Sequence, residues 1–189
     1  MEKDMRVAIT GASGLAAAIA GALQDCPIRH VRIEDIMDCE WVWEENDVFI
    51  NCAHLGFDQT KLLLQAYEAW KKDSNKYIIN ISSRAAEPNI SQGYMYASQK
   101  ASLNHLSNNL TYNSDKCCRI TTINLGLLEN VDVPSVTHQE VADIVKYLVR
   151  MAEYTDLEVP EMTLQHKTNY KDVQSDKQAI RDLEWLLQN

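Results

Sequence analysis

Short apolar runs of strand character alternate with runs of helical periodicity along this chain, and few folds accommodate that alternation. "RVAIT" (6–10) leads into "GASGLAAAIAGALQDC", where Leu15, Ile19, Ala22 and Leu23 recur at helical spacing. "IRHVRI" is a second strand candidate, "DVFINC" a third, "KYIINIS" a fourth, "RITTINL" a fifth and "EMTLQ" a short last one. Between them lie the helical runs "TKLLLQAYEAWKK", a long helix from about Tyr94 to Tyr112, and "THQEVADIVKYLVRMAE". Thr137 and Glu140 form a capping box before Val141, Ile144, Val145 and Leu148, which marks the start of that last helix. The tail reads as an amphipathic helix with Val173, Ile180, Leu183 and Leu187 on one side. Regular alternation of this kind implies right-handed βαβ units and a parallel sheet covered on both faces, a doubly wound α/β fold. The 189 residues read as one domain, 1–189, with 167–189 its C-terminal amphipathic helix. Only "EDIMDCEWVWEEN" (34–46) resists assignment; it is too short for a helix and a strand of ordinary length, so the spacing predicts a shortened crossover.

"AITGASGLAAA" leaves the first strand and opens the first helix. Gly11 suits a tight turn, Gly14 lets backbone approach a phosphate, and the third small position falls on Ala17. The helix N-terminus behind them offers unpaired N–H groups and the positive dipole end to a pyrophosphate. A dinucleotide site also needs an acid about 20 residues on, at the end of the second strand, for the adenosine ribose. Glu34 and Asp35 stand there and favour NAD(H) over NADP(H), since a carboxylate repels a 2′-phosphate; Arg29 and Arg32 lie nearby in sequence.

In "YMYASQK" (94–100), Tyr96 and Lys100 are four residues apart, which stacks them on one helical face. An ammonium held there favours the phenolate form and fits a phenol for proton exchange with a substrate. Tyr94 has Ser98 at the same offset and gains no such partner. The fourth strand ends in Ser82 and Ser83, and in a parallel sheet its carboxyl end and the start of the next helix face the same ligand crevice.

"TGASGLA", "NCAH" (51–54), "INISS" (79–83) and "YASQK" (96–100), in this order, resemble the short-chain dehydrogenase/reductase family over roughly residues 6 to 150. The resemblance implies a Rossmann fold and NAD(H) or NADP(H) as cofactor, with hydride transfer between the nicotinamide and a small carbonyl or alcohol substrate. It implies Tyr96 as general acid/base, Lys100 on the nicotinamide ribose and Ser83 on the substrate oxygen, with Ser82 pointing away or bracing the loop. For the cofactor it implies Thr10, Gly11, Ser13, Gly14, Leu15, Glu34, Asp35, Asn51, Cys52, Ala53, Tyr96, Lys100 and Gly126. It also implies a homodimer or homotetramer paired through "TKLLLQAYEAWKK" and the tyrosine helix, with Leu62, Leu63, Tyr67 and Trp70 facing either the partner or the sheet.

The chain departs from the family in places. Its glycine motif is the G-x-x-G-x-x-A form. The position of an active-site asparagine falls on Gly56 or its neighbours; His54 or Asp58 could substitute in its water relay, but His54 reads first as an ordinary surface histidine. Leu125 replaces a proline before Gly126, and the substrate loop shrinks to "LLENVDVPSV". These losses favour an alternative, a non-catalytic dinucleotide-binding or interaction protein that keeps the fold.

Composition narrows the partners. A formal charge of −9, from 27 acidic against 18 basic residues, argues against a nucleic-acid backbone or an anionic membrane surface. No apolar run approaches the roughly 20 residues that span a bilayer, and "MEKDMRVAITG" lacks a secretion signal, so a cytoplasmic protein is expected. The five cysteines, Cys26, Cys39, Cys52, Cys117 and Cys118, contain no C-x-x-C pair; neither disulfides nor a structural zinc are expected, and the adjacent pair reads as buried packing.

Overall fold

Strand residues of alternating direction divide the core into two layers. The computed structural model describes residues 5–36, 41–88, 90–91, 93–129, 132 and 134–167. Six strands, β1 (Val7–Thr10), β2 (Ile28–Val31), β3 (Val48–Asn51), β4 (Tyr77–Ser83), β5 (Arg119–Leu125) and β6 (Glu161–Leu164), form one sheet in the order β2-β1-β3-β4-β5-β6. Every pairing is parallel. Val7, Ile9, Val48, Ile50, Ile79 and Ile123 point to one face, where Leu15 and Ile19 of α1 (Leu15–Ala22) and Val141, Val145 and Leu148 of α6 (His138–Tyr154) pack on them. Ala8, Phe49, Ile78 and Ile120 point to the other, beneath α4 (Asp58–Trp70) and α5 (Tyr94–Thr111). The period-2 alternation of the strands thus builds the doubly wound arrangement expected from the sequence.

The unassigned crossover becomes two single helical turns, α2 (Ile33–Ile36) and α3 (Trp41–Glu45), that carry the chain from β2 past β1 to β3. Aromatic contacts hold so short a connection. Trp43 stands edge-on to Phe49 and Trp70, with ring centroids 5.0 and 5.8 Å away, and Trp70 Nε1 donates to the Trp43 carbonyl at 2.8 Å. Arg29 lies over the Trp41 ring at 4.5 Å and pairs with Glu45 at 2.7 Å. With β1 connecting outward to β2 and the chain returning to β3, the carboxyl ends of β1 and β3 flank the switch point where open α/β sheets hold their ligands.

Thr137 accepts from the Glu140 N–H while the Glu140 carboxylate accepts from the Thr137 N–H, the capping box read from the sequence. Leu62, Leu63, Tyr67 and Trp70 are all buried against the sheet, which leaves Lys61, Leu64 and Glu68 on the outer side of α4. Two expectations need correction. Cys118 is buried but Cys117 is exposed, because β5 begins only at Arg119 and Cys117 belongs to the turn before it. Ala17 is exposed, and the small residue of α1 nearest Gly11 is Ala16, whose Cβ lies 3.5 Å from where a Gly11 Cβ would sit. Cys39 and the expected helix over 168–189 lie outside the described residues. Among the described residues no helix is long and apolar enough to cross a membrane.

Candidate active site

At the carboxyl ends of β1 and β3 the glycine loop takes conformations that side chains resist. Gly11 has φ +90° and Gly14 φ +53°, and a Cβ on Gly11 would meet that of Ala53 at 3.3 Å. Among the described residues no side chain caps α1, and its first turn holds no acid, so the positive end has no anionic partner there. Thr10 does not face this opening. It is fully buried, and its hydroxyl accepts from the Cys52 and Ala53 N–H groups at 2.8 and 2.9 Å, tying the end of β1 to the end of β3. Ser13 is exposed in the loop and Leu15 is buried behind it. These features fit a dinucleotide pyrophosphate over the loop: the backbone is bare, the helix end is uncapped, and Ala53 comes close beneath it.

The strand-end acids are displaced from their expected place. β2 stops at Val31, the next residue is Arg32, and Glu34 and Asp35 are exposed on the turn of α2. Sequence reading also missed two histidines beside the loop. The His30 Nδ1 lies 2.8 Å from the Gly11 carbonyl, and the His138 ring lies 3.7 Å from where a Gly14 Cβ would stand.

Tyr96 and Lys100 occur on the first two turns of α5, as their spacing predicts. Tyr96 is partly exposed, whereas Lys100 is 3% exposed with its Nζ 5.8 Å from the Tyr96 ring centroid. Burial lowers the Lys100 pKa to about 8. Its ammonium donates to Gln59 Oε1 at 2.7 Å and to the Ile81 carbonyl at 2.9 Å. Gln59 in turn donates from Nε2 to the carbonyls of Asn51 and Ile81. Asn51, buried at the end of β3, donates to the Gln59 carbonyl and to Asn80 Oδ1. Cys52, expected beside the cofactor, holds a buried thiol whose pKa is pushed up to about 12 by burial, opposed by the charge of Lys100.

Gln59, not Gly56 or Asp58, is therefore the residue that meets the lysine. Gly56 sits in open space at φ +51°, and Asp58 pairs with Lys61 at 2.7 Å. A sequence signal for Gln59 existed: it lies on the same stripe as Leu62, Leu63, Ala66, Tyr67 and Trp70, a polar residue on an otherwise apolar helix face.

Ser83 ends β4 with its side chain accepting from the Ala85 N–H at 3.1 Å, which leaves its own O–H free to donate. Ser82 is buried and donates to Asn104 on α5. Gly126 serves the sheet. Its N–H donates to the Leu164 carbonyl at 2.8 Å, and a Cβ there would strike Gln165 at 2.9 Å. Tyr94 is 77% exposed, so of the two tyrosines only Tyr96 is turned toward the lysine.

Solved structures of the same shape share this arrangement of strands and helices. An alcohol dehydrogenase from the archaeon Thermococcus sibiricus, complexed with 5-hydroxy-NADP, matches at a TM-score of 0.68 and 18% identity over 87% of this chain and 98% of its own. A metagenomic short-chain oxidoreductase in complex with NADP matches at 0.65 and 20% identity, over 86% and 97%. The chain has the short-chain dehydrogenase/reductase fold. The NADH-dependent reductase A1-R′ complexed with NAD matches it too, at 0.67 and 17% identity over 86% and 95%. Both forms of the dinucleotide thus occur among structures with this short-chain dehydrogenase fold. No protein-family model matches the sequence, and no curated protein matches it.

Proposed function

We propose that the protein is an NAD(P)-dependent oxidoreductase acting on a small carbonyl or alcohol. The observation that carries this reading is the buried Lys100 ammonium, fixed by Gln59 and the Ile81 carbonyl one helical turn from Tyr96, at the carboxyl end of the sheet. When bound, the dinucleotide supplies the hydride chemistry. The protein does the rest. The open end of α1 and the bare backbone at Gly11 and Gly14 hold the pyrophosphate. The third N–H of Lys100 is left for a ribose hydroxyl. The Ser83 hydroxyl donates to the substrate oxygen, and Tyr96 gives that oxygen a proton in reduction or takes one in oxidation. Glu34 and Asp35 together outweigh Arg32 at the adenosine end and favour NAD(H). The same reading includes a homodimer or homotetramer through the outer faces of α4 and α5, where Leu64 and Met95 are exposed.

One observation favours the alternative of a non-catalytic dinucleotide-binding or interaction protein: Lys100 already holds two hydrogen bonds within the fold, to Gln59 and the Ile81 carbonyl. Titration with NADH and NADPH, followed by nicotinamide fluorescence and repeated on Lys100→Ala, tests both readings. Binding that weakens in the variant, followed by carbonyl reduction that is lost in Tyr96→Phe, supports the enzyme. Binding with no Tyr96-dependent turnover supports a non-catalytic dinucleotide-binding protein, and no binding of either dinucleotide removes both dinucleotide readings and leaves an interaction protein that keeps the fold.

A further inference from the structure

Lys100 poses a problem of proton traffic. Two of its three N–H groups are committed inside the protein, and the residue is all but sealed from water. The chain of bonds beyond it runs through Gln59 to Asn51, and from Asn51 to Asn80. These are carboxamides and carbonyls, which hold hydrogen bonds but do not titrate, so a proton cannot pass outward along them. The oxidoreductase reading, on which this inference rests, nevertheless requires one proton per turnover to cross between the substrate oxygen and bulk solvent.

His54 stands on the other side of Tyr96. It leaves the end of β3 as the last residue of "NCAH", and its ring meets that of Tyr96 edge-on, with centroids 5.0 Å apart at 81°. The residue is exposed, so the imidazole touches the phenol and solvent together. Among the described residues the titratable groups acting on it are few. Tyr96 and Lys100 face it from α5. Asp58, at the start of α4, is turned to Lys61. Partial burial and the Lys100 charge hold the His54 pKa below its ordinary value, with the amides of Gln59 and Gln99 acting in the opposite sense. That direction favours the neutral imidazole, with one N–H and one lone pair, the form that passes a proton in either direction.

We propose that His54 carries protons between Tyr96 and solvent, in place of a route through Lys100. In reduction, the hydride goes to the carbonyl carbon and the Tyr96 proton to its oxygen. As bulk water gives a proton to the lone-pair nitrogen of the imidazole, the N–H on its other nitrogen passes, directly or across one water, to the phenolate, and the ring is left neutral. Oxidation runs the same transfers backward. His54 acts through Tyr96 and makes no contact with the reacting carbon.

The test compares wild type, His54→Ala and His54→Gln, with 9,10-phenanthrenequinone as carbonyl probe and NADH as reductant. In both variants kcat is expected to fall about 10- to 100-fold, toward the lower end of what a positioned acid–base group supplies, while NADH affinity by fluorescence changes less than about twofold. Added imidazole should restore His54→Ala in proportion to its free base, and potassium chloride at equal ionic strength should not. A second readout needs no turnover: the His54 titration, followed by NMR in the free protein, should move when Tyr96→Phe removes the hydroxyl. An unchanged kcat in either variant, a loss that imidazole does not restore, or a His54 titration indifferent to Tyr96→Phe overturns the proposal. A wild type that binds no NADH, or reduces the quinone no faster than Tyr96→Phe, instead removes the oxidoreductase reading and this inference with it.

Discussion

Replacing Lys100 with methionine should abolish a specific part of the pH dependence of stability. Burial depresses the Lys100 pKa from 10.5 to about 8 in the folded state. Between those values the unfolded chain binds more protons than the folded one, so stability rises with pH across that window. The full gain from a shift of this size is about 3 kcal/mol, of which about 2 kcal/mol falls between pH 8 and 10. Cys52, Cys118 and Tyr77 oppose it at higher pH. Their folded pKa values are raised to about 12, 11 and 12, so stability is lost as the pH climbs past their unfolded values. Because those groups remain in Lys100→Met, the difference between wild type and variant isolates the lysine. Methionine keeps the length of the side chain and leaves Gln59 Oε1 without its donor, a cost of about 1–3 kcal/mol that does not vary with pH and drops out of the slope. Urea unfolding at half-unit steps from pH 7 to 10 measures the effect. With an m value of about 2 kcal/mol/M, the gap between the two midpoints should move by about 1 M in favour of wild type from pH 8 to 10. Parallel pH profiles would refute the reasoning, since they would mean that Lys100 is not held in a low-dielectric site.

Tyr96→Phe should keep dinucleotide binding by fluorescence and lose about 10²- to 10⁴-fold in kcat, the range for a positioned general acid. Gly11→Ala should lower stability by about 1–3 kcal/mol in thermal or urea unfolding, because it forces a side chain to φ +90° against Ala53. Glu34→Gln combined with Asp35→Asn should tighten NADPH relative to NADH in competitive fluorescence titration, by about 1 kcal/mol in their affinity difference; an unchanged ratio would place the ribose elsewhere. Thr137→Ala removes the hydroxyl half of the α6 capping box and should cost about 1 kcal/mol, read as a lower urea midpoint at constant m.

What the sequence disclosed was whatever a periodic pattern or a local offset encodes. The strand runs, the α6 capping box and the pairing of Tyr96 with Lys100 depend on residues near each other in the chain, and all appear where their spacing places them. The short crossover was visible as a lack of room, but not the means of holding it, because Trp43 meets Phe49 and Trp70 only after the sheet has formed. Gln59 escaped for a similar reason. Its partners Asn51, Ile81 and Lys100 come from β3, β4 and α5, so its importance is a property of their convergence. The acids near β2 were found by distance in sequence. That measure cannot tell the last strand residue from a helical turn two residues later.

The placement of these contacts explains how a chain with so brief a crossover and substrate loop can retain a site. Lys100 is fixed through Gln59 to the ends of β3 and β4, both of them interior strands. Gly11 is fixed against Ala53 at the end of β3, and Thr10 bonds the same turn. The anion loop and the Tyr–Lys pair are thus referenced to one short stretch, Asn51 to Ala53. By contrast, the crossover from β2 lies at one margin of the sheet and the loop after β5 leads to the other. On the proposed reading, shortening at the margins changes what would surround a ligand, whereas a change at Asn51, Cys52 or Ala53 would move both halves of the candidate site at once. A substitution such as Ala53→Val, which adds bulk where a Gly11 Cβ would already be at 3.3 Å from the Ala53 Cβ, is therefore the perturbation most apt to disturb dinucleotide binding and the Tyr96 environment together.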